Sequence, residues 1–394
     1  MVLEDKFRKS KCKIHFIKAM SGDSFLIELG DGHCILIDCG YKSTYESELK
    51  PILQKLHNEG CRLDLLVITH MDEDHMGGAI ALIEDNGDNR KPKIIAIDNI
   101  WFNGIFDVCR NYDFLYSHLV EKLSESDYSK KEYLLSQFLR LIGVGDGFIS
   151  AKHAEAFEVL CRAYNYSLNN ESENGLIMVG DRIEIGKWNI SVLSPGKREI
   201  DCFAEWINKN LISCMGRDYK LEKNYFATFI EKMVVATAKD EEGTCGGECI
   251  SANKTDIESW IGTSKLAKMN EANRMSIVLE MDCNGTSMLF TGDSESQDWI
   301  ERAKSKYDVV KLSHHGSTRP NIALLQNIRA EKLLISTNGK RNHPENDLLA
   351  RIFVKEIKDV YFNYEIRQKE QILGCQGEYG FIAHFEEDEI RIEG

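Results

Sequence analysis

Five of the eleven histidines in this chain stand just beyond three apolar runs. His70 and His75 follow Leu63 to Thr69, His314 and His315 follow Val309 to Leu312, and His343 follows a run ending at Ile335. Each run reads as a buried strand that stops abruptly in polar residues. Strand ends of this kind can face one cleft, so the fold must bring distant parts of the chain together. The other histidines, His57 and His118 among them, fall in predicted helices or exposed positions without such neighbours.

The composition allows a large core. The chain has 394 residues, 43% of them hydrophobic and 28% charged. That balance excludes a disordered chain, a collagen-like chain and a small disulfide scaffold. No apolar run approaches the roughly 20 residues of a membrane span. The first residues, Met1 to Lys9, carry charges where a signal peptide needs an apolar stretch, so the expected location is the cytoplasm. Twelve scattered cysteines then read as reduced thiols, mostly core filler, with Cys245 and Cys249 as a loop feature.

The pattern along the chain predicts an α/β fold. Lys13 to Lys18, Ser24 to Leu29 and His33 to Asp38 read as a strand meander. A helix from about Tyr45 to His57 follows, then the Leu63 to Thr69 strand, a helix over Met76 to Glu84 and a strand over Pro92 to Ile97. Residues 101–170 have helical periodicity and read as an insertion. Strands resume at Leu176 to Met178, Arg182 to Ile185 and Trp188 to Leu193. A second insertion, irregular and in part helical, is expected over 196–270. Ser276 to Asp282 and Ser287 to Thr291 pair across Asn284-Gly285, a strong hairpin signal. Two β-rich halves decorated by helices predict a four-layered αβ/βα sandwich, one domain over 1–394 with two insertions.

The chemistry concentrates at the strand ends. Between Thr69 and Gly78 lie His70, Asp72, Asp74 and His75, followed by Gly77-Gly78. Neutral imidazole and carboxylate are ligands that Zn²⁺ and Mn²⁺ accept. A tight loop could turn His70 and Asp72 towards one metal and Asp74 and His75 towards a second. Asp293, in Thr291-Gly292-Asp293, could bridge two cations with its two oxygens. His314 and His315 could supply one ligand and one proton donor, and His343 is a further site candidate.

The sequence resembles the metallo-β-lactamase fold, whose His-x-His-x-Asp-His signature looks like His70-x-Asp72-x-Asp74-His75. Ser21 to Ser24, Ile37 to Gly40, Thr291 to Asp293, Lys311 to Ser317 and His343-Pro344 further resemble the C-terminal metallo-hydrolase domain of ComEC proteins. They also resemble soluble relatives of that domain, some encoded in bacterial antiphage operons. The resemblance covers about 13–99, 176–195 and 273–392. It implies a metallo-β-lactamase sandwich with one or two Zn or Mn ions. It further implies Asp38 as support for the metal loop, His70, Asp74 and His75 as ligands, and Asp293 as the bridge. One of His314 and His315 would be a ligand and the other would help catalysis. Two departures stand out. Asp72 replaces the family's second His, which favours Mn²⁺ or a tightly held Zn²⁺. The region of the third-motif His reads Val192 to Pro195 without one, implying a weak, open or empty metal site.

The favoured expectation is a metal-dependent phosphodiesterase or nuclease acting on DNA or RNA. Asp74 would bind metal and orient the nucleophile, and His314 or His343 would protonate the leaving oxygen. The same cradle suits a small-molecule phosphodiester, a cyclic nucleotide, a lactone or a thioester. A third reading is a regulatory module with a degenerate metal site and a protein partner on the insertions. The formal charge of −14 argues against a general coating of nucleic acid. Residues 302–355, however, hold eleven Lys or Arg against four Asp or Glu. Within it Lys311, Ser317, Arg319, Lys340 and Arg341 flank the His motifs and are the expected substrate contacts.

Overall fold

The computed structural model describes residues 10–104, 107–108, 111, 150–215, 257–355 and 357–393. Two sheets form within these residues. The first has six strands: β1 (Ser10–Phe16), β2 (Phe25–Leu29), β3 (Cys34–Ile37), β4 (Leu63–Val67), β5 (Ile97–Trp101) and, from the far end of the chain, Glu389–Glu393 beside β1. The second has eight, of which β6 (Arg182–Ile185), β7 (Trp188–Ser194), β8 (Val278–Cys283) and β9 (Thr286–Phe290) run antiparallel to their neighbours. From β9 the pairing turns parallel through β10 (Lys306–Lys311), β11 (Arg329–Ile335), β12 (Asp359–Phe362) and β13 (Ile382–His384). Glu389–Glu393 is therefore β14.

Period-two alternation decides what each strand face meets. In β3 and β4, Ile35, Ile37, Leu65 and Val67 point between the sheets, where they join Leu279, Met281, Met288, Phe290, Val309 and Leu334. Leu36, Leu63 and Leu66 point the other way, into a helical layer. That layer includes α1 (Lys50–Asn58), entered through a π-helical segment Tyr45–Leu49, and α2 (Glu73–Asn86). It also includes α3 (Ser150–Ala163) and α4 (Lys197–Met215). On the opposite outer face, Leu289, Val310, Leu333 and Ile335 pack under α5 (Thr318–Asn327), α6 (Asn346–Phe353) and α7 (Lys369–Tyr379). The result is the four-layered αβ/βα sandwich expected from the sequence.

The structure corrects two expected elements. Pro92 to Ile97 is not a strand; β5 begins at Ile97. The Asn86 side chain takes the backbone instead. Its Oδ1 accepts from the N–H groups of Ile94 and Ile95 at 2.8 and 3.0 Å, and its Nδ2 donates to Ile95 O at 2.7 Å. Leu176 to Met178 is irregular for the same reason, because the Asn103 amide brackets Ile177 N and O at 2.8 and 2.7 Å. An amide side chain carries one acceptor and one donor and imitates a neighbouring strand. The second insertion, expected to be irregular and in part helical, contains the nineteen-residue α4. Its buried Ile200, Phe203, Ala204 and Ile207 follow helical spacing. Most of 101–170 and residues 216–256, with Cys245 and Cys249, lie outside the described residues. The Asn284-Gly285 turn joins β8 to β9 with both φ angles positive, 47° and 84°, as the hairpin signal requires.

Gly78 shows how closely α2 is set against the loop after β3. A Cβ there would lie 2.2 Å from Cys39 O, and its N–H donates to Gly40 O at 2.8 Å. Gly374 in α7 has nothing within 4 Å of a built Cβ. Gly78→Ala should therefore lower stability by about 1–3 kcal/mol. Gly374→Ala should be neutral or stabilising by up to about 1 kcal/mol. Urea unfolding of the two variants beside the parent chain checks the contrast.

Candidate metal centre

The parallel strands of both sheets end on one side of the molecule. The loops after β3, β4, β9, β10 and β11 meet there, as ligand sites do at the carboxyl ends of strands. Asp38 closes β3 and is 1% exposed. Its Oδ1 accepts from Thr69 N at 2.7 Å, and its Oδ2 from Thr69 Oγ1 and His75 Nδ1, both at 2.8 Å. Asp72 precedes α2, and Asp74 and His75 lie in its first turn rather than in a loop. Cys39 N–H donates to His75 O, and Asp23 N–H to Asp74 O, so the first turn is stitched to two neighbouring loops.

Asp293 is the meeting point. It is buried, and its Oδ2 lies 3.4 Å from His75 Nε2, 3.3 Å from His315 Nε2 and 3.9 Å from His314 Nε2. His315 Nε2 is also 3.6 Å from Asp74 Oδ2. On the other side, His70 Nε2 is 3.6 Å from Asp72 Oδ2, and the His70 and His75 rings are 4.2 Å apart. His343 approaches His314 with ring centroids at 5.4 Å. The eight expected metal and catalytic residues thus occupy one place.

The donor set fits divalent cations. A ligating imidazole needs one nitrogen tied down and the other bare. Thr69 Oγ1 gives its proton to Asp38 and so accepts from His70 Nδ1 at 3.1 Å. His75 Nδ1 donates to Asp38, and His315 Nδ1 donates to Ser336 O at 3.2 Å. In all three rings Nε2 is left buried without a hydrogen-bond partner, as is Asp293 Oδ1. Among the described residues, Asp23, His75, Asp293 and His315 form a group whose ligand atoms all lie within 4.8 Å of one another. Buried polar atoms without partners are costly, and a shared cation relieves them.

The electrostatics agree. Burial opposes charge on His75, but Asp293 and Asp38 more than offset it and push the ring well above its ordinary value. Burial likewise opposes charge on His315, yet Asp293 and Asp23 raise it to about 10. Burial would raise Asp293, but His315, His75 and His314 hold its carboxyl well below the usual range. A field that favours protonated rings also favours a cation between them. His343 is different: burial, with His314 and His315 nearby, holds it well below its ordinary value and therefore neutral.

The expected substrate contacts divide. Lys311 is not on a rim. It is 1% exposed, donates to Gly292 O at 2.8 Å, pairs with Asp23 and lies 3.6 Å from Asp293 Oδ1. Strand parity explains this, because position 311 shares the inter-sheet face with Val309. Arg319 is committed to Glu295 Oε2 at 2.9 Å and Ala267 O at 3.0 Å, and Ser317 Oγ donates to Glu345 at 3.2 Å. Lys340 and Arg341 are exposed, on the loop between β11 and His343. The charge of Arg341 reaches His343, Glu73 and Tyr41, which puts it beside the centre. The basic segment as a whole is not a continuous patch. Lys304 pairs with Asp282, Lys306 with Glu331 and Arg351 with Asp347.

Asp23 was not among the expected site residues. Its only sequence signal is an acid within Ser21-Gly22-Asp23-Ser24, directly before a buried strand. It is 1% exposed, and its Oδ1 lies 3.4 Å from His315 Nδ1. Burial would raise its carboxyl, but Lys311 and His315 hold it well below the usual range.

Residues 17–140 match the family model of the metallo-beta-lactamase superfamily. That match supports a metal-dependent hydrolase with divalent ions as its cofactor. No curated protein matches the sequence. Among solved structures, the chain is similar to the metallo-beta-lactamase fold protein YhfI from Bacillus subtilis at a TM-score of 0.38 and 9% identity. That alignment covers 97% of this chain and 99% of the other. It is also similar to Zn²⁺-bound PqqB from Methylobacterium extorquens, with a TM-score of 0.39, 7% identity, and 96% and 99% covered.

Asp38→Asn tests the support of the centre. The amide still accepts from Thr69 N but cannot accept fully from both Thr69 Oγ1 and His75 Nδ1. Metal affinity should fall by about 10–100-fold, with far-UV circular dichroism unchanged. Competitive titration against a chromophoric chelator reads the affinity.

Proposed function

We propose that this chain is a metal-dependent phosphodiesterase whose substrate is DNA or RNA. The observation that carries the reading is the convergence of bare imidazole nitrogens on Asp293, with Lys340 and Arg341 exposed nearby. With Asp23 of the cluster taken up by Lys311, His75, His315, Asp293 and Asp74 would hold one divalent ion, and His70 and Asp72 would offer ligands to a second. Zn²⁺ and Mn²⁺ both suit nitrogen and carboxylate donors. Such ions supply Lewis acidity towards a phosphoryl oxygen and lower the pKa of water.

The protein's own groups do the rest. Asp38 and Ser336 O keep His75 and His315 aimed inward, so the centre needs no reorganisation when a substrate arrives. Asp74 is placed to orient the attacking oxygen. His314 is partly open, with 23% of its side chain exposed. In this proposal its Nε2 would pass a proton to the leaving oxygen, against burial and His315, which hold the ring below its ordinary value. Lys340 and Arg341 supply charge for phosphates on either side of the scissile one. His343, held neutral, has its ring centroid 5.4 Å from that of His314.

The proposed site of action is the cytoplasm. No helix among the described residues is long and apolar enough to cross a membrane. A part in antiphage defence extends the proposal and rests on the resemblance to soluble ComEC-like hydrolases.

The test is incubation with labelled single- and double-stranded DNA and RNA, and with a small chromogenic phosphodiester, in Mn²⁺, Zn²⁺ or chelator. Metal-dependent cleavage is expected, abolished by chelator. Removing His70 and Asp74 together should lower it by about two orders of magnitude or more while the fold persists. Cleavage of the small diester alone would shift the substrate to a small molecule. Unchanged cleavage by the double variant would sink the proposal.

A further inference from the structure

We propose that Lys311 is a positioning residue for the metal centre, reserving one oxygen of Asp293 so that only the other faces the cation. The inference rests on the metal reading above and concerns the shape of the centre rather than its substrate.

The observations start with where the lysine is. An ammonium group is rarely fully buried unless it is paired, and Lys311 is 1% exposed. Its partners come from both sheets: Asp23, which precedes β2, and Gly292 O, which follows β9. Thr291 Oγ1 donates to Lys311 O at 2.9 Å and fixes the backbone. Nothing in the proposed hydrolysis uses this amine, and no substrate can reach it.

The two oxygens of Asp293 have different surroundings. Oδ2 has three imidazole Nε2 atoms at 3.3–3.9 Å. Oδ1 has the Lys311 ammonium at 3.6 Å and no hydrogen bond. A carboxylate can chelate one cation through both oxygens or bind through one. A fixed positive charge beside Oδ1 favours binding through Oδ2 alone, because rotation towards chelation would forfeit the Lys311 attraction. Asp23 holds the ammonium in place and, through its Oδ1, also faces His315 Nδ1. One buried ion pair thereby orients a carboxylate ligand on one side and an imidazole ligand on the other.

The prediction concerns coordination, read with Co²⁺, whose visible absorption weakens as the coordination number rises. Lys311→Met alone would strand two buried carboxylates, so the informative variant is Asp23→Asn with Lys311→Met, which removes the pair together. This double variant should fold, as seen by circular dichroism. It should bind Co²⁺ within about threefold of the parent affinity but lose about half or more of the visible band, as Asp293 turns to chelate. Asp23→Asn with Lys311 intact should keep most of the band.

Three results would overturn the proposal. They are a parent-like band in the double variant, an equal loss in Asp23→Asn alone (which would make Asp23 itself a ligand), or parallel collapse of affinity and band. No Co²⁺ binding by the parent chain would instead overturn the metal reading on which the inference stands.

Discussion

A single carboxylate, Asp38, joins the end of β3 to the end of β4 and to the first turn of α2. It is buried, and it can lie there only because three donors meet it. Each of those donors serves the centre. The Thr69 backbone sets where β4 stops, the Thr69 hydroxyl is turned so that it accepts from His70, and the His75 ring is locked with Nε2 inward. The Asp38 backbone itself has a positive φ of 55°, a strained conformation for a residue with a side chain. Strain held by a saturated hydrogen-bond set fits a support that must not move.

The second half of the centre comes from the other sheet, and its position depends on how the sheets pack. Asp293, His314 and His315 follow β9 and β10, whose inward residues share the inter-sheet core with β3 and β4. Polar bonds fix the same alignment at the loops. Ile277 N–H donates to Thr69 O at 2.9 Å, Ser336 Oγ to Gly22 O at 2.7 Å, and Asn363 Nδ2 to Ile17 O at 2.9 Å. Gly22 has no room for a Cβ, which would lie 2.0 Å from Asp74 O. That close approach lets Asp23 reach under the imidazoles.

Much of this was legible in the sequence. Strands such as β4 announce themselves because an apolar run is cut off by ligand-type residues, and the hairpin at Asn284-Gly285 follows from backbone sterics alone. The two missing strands share a cause. At Ile94, Ile95 and Ile177 an asparagine outside the run supplies the bonds that a strand would, so local apolar character is real but pairing is not. For α4 the helical spacing was present but set in a polar stretch, and only packing against the core reveals the face. Lys311 was misread through its charge. Its alternation with Val309 placed it between the sheets, and a lysine there demands a buried acid, which in turn points to Asp23 or Asp293.

The arrangement makes site and fold hard to separate energetically. Three bare imidazole nitrogens and the inward face of Asp293 are brought together by burial, and their mutual proximity works against the packed state until positive charge joins them. Lys311 supplies one such charge from within the chain, and the carboxylates of Asp293, Asp38 and Asp23 bias His75 and His315 towards taking up protons. Any cation that binds here replaces those protons and is available only to the packed structure, since the ligands come from loops far apart in sequence. Ion binding is therefore coupled to the packing of one sheet on the other, and the apolar contacts between β3–β4 and β8–β10 are as much part of the centre as its ligands.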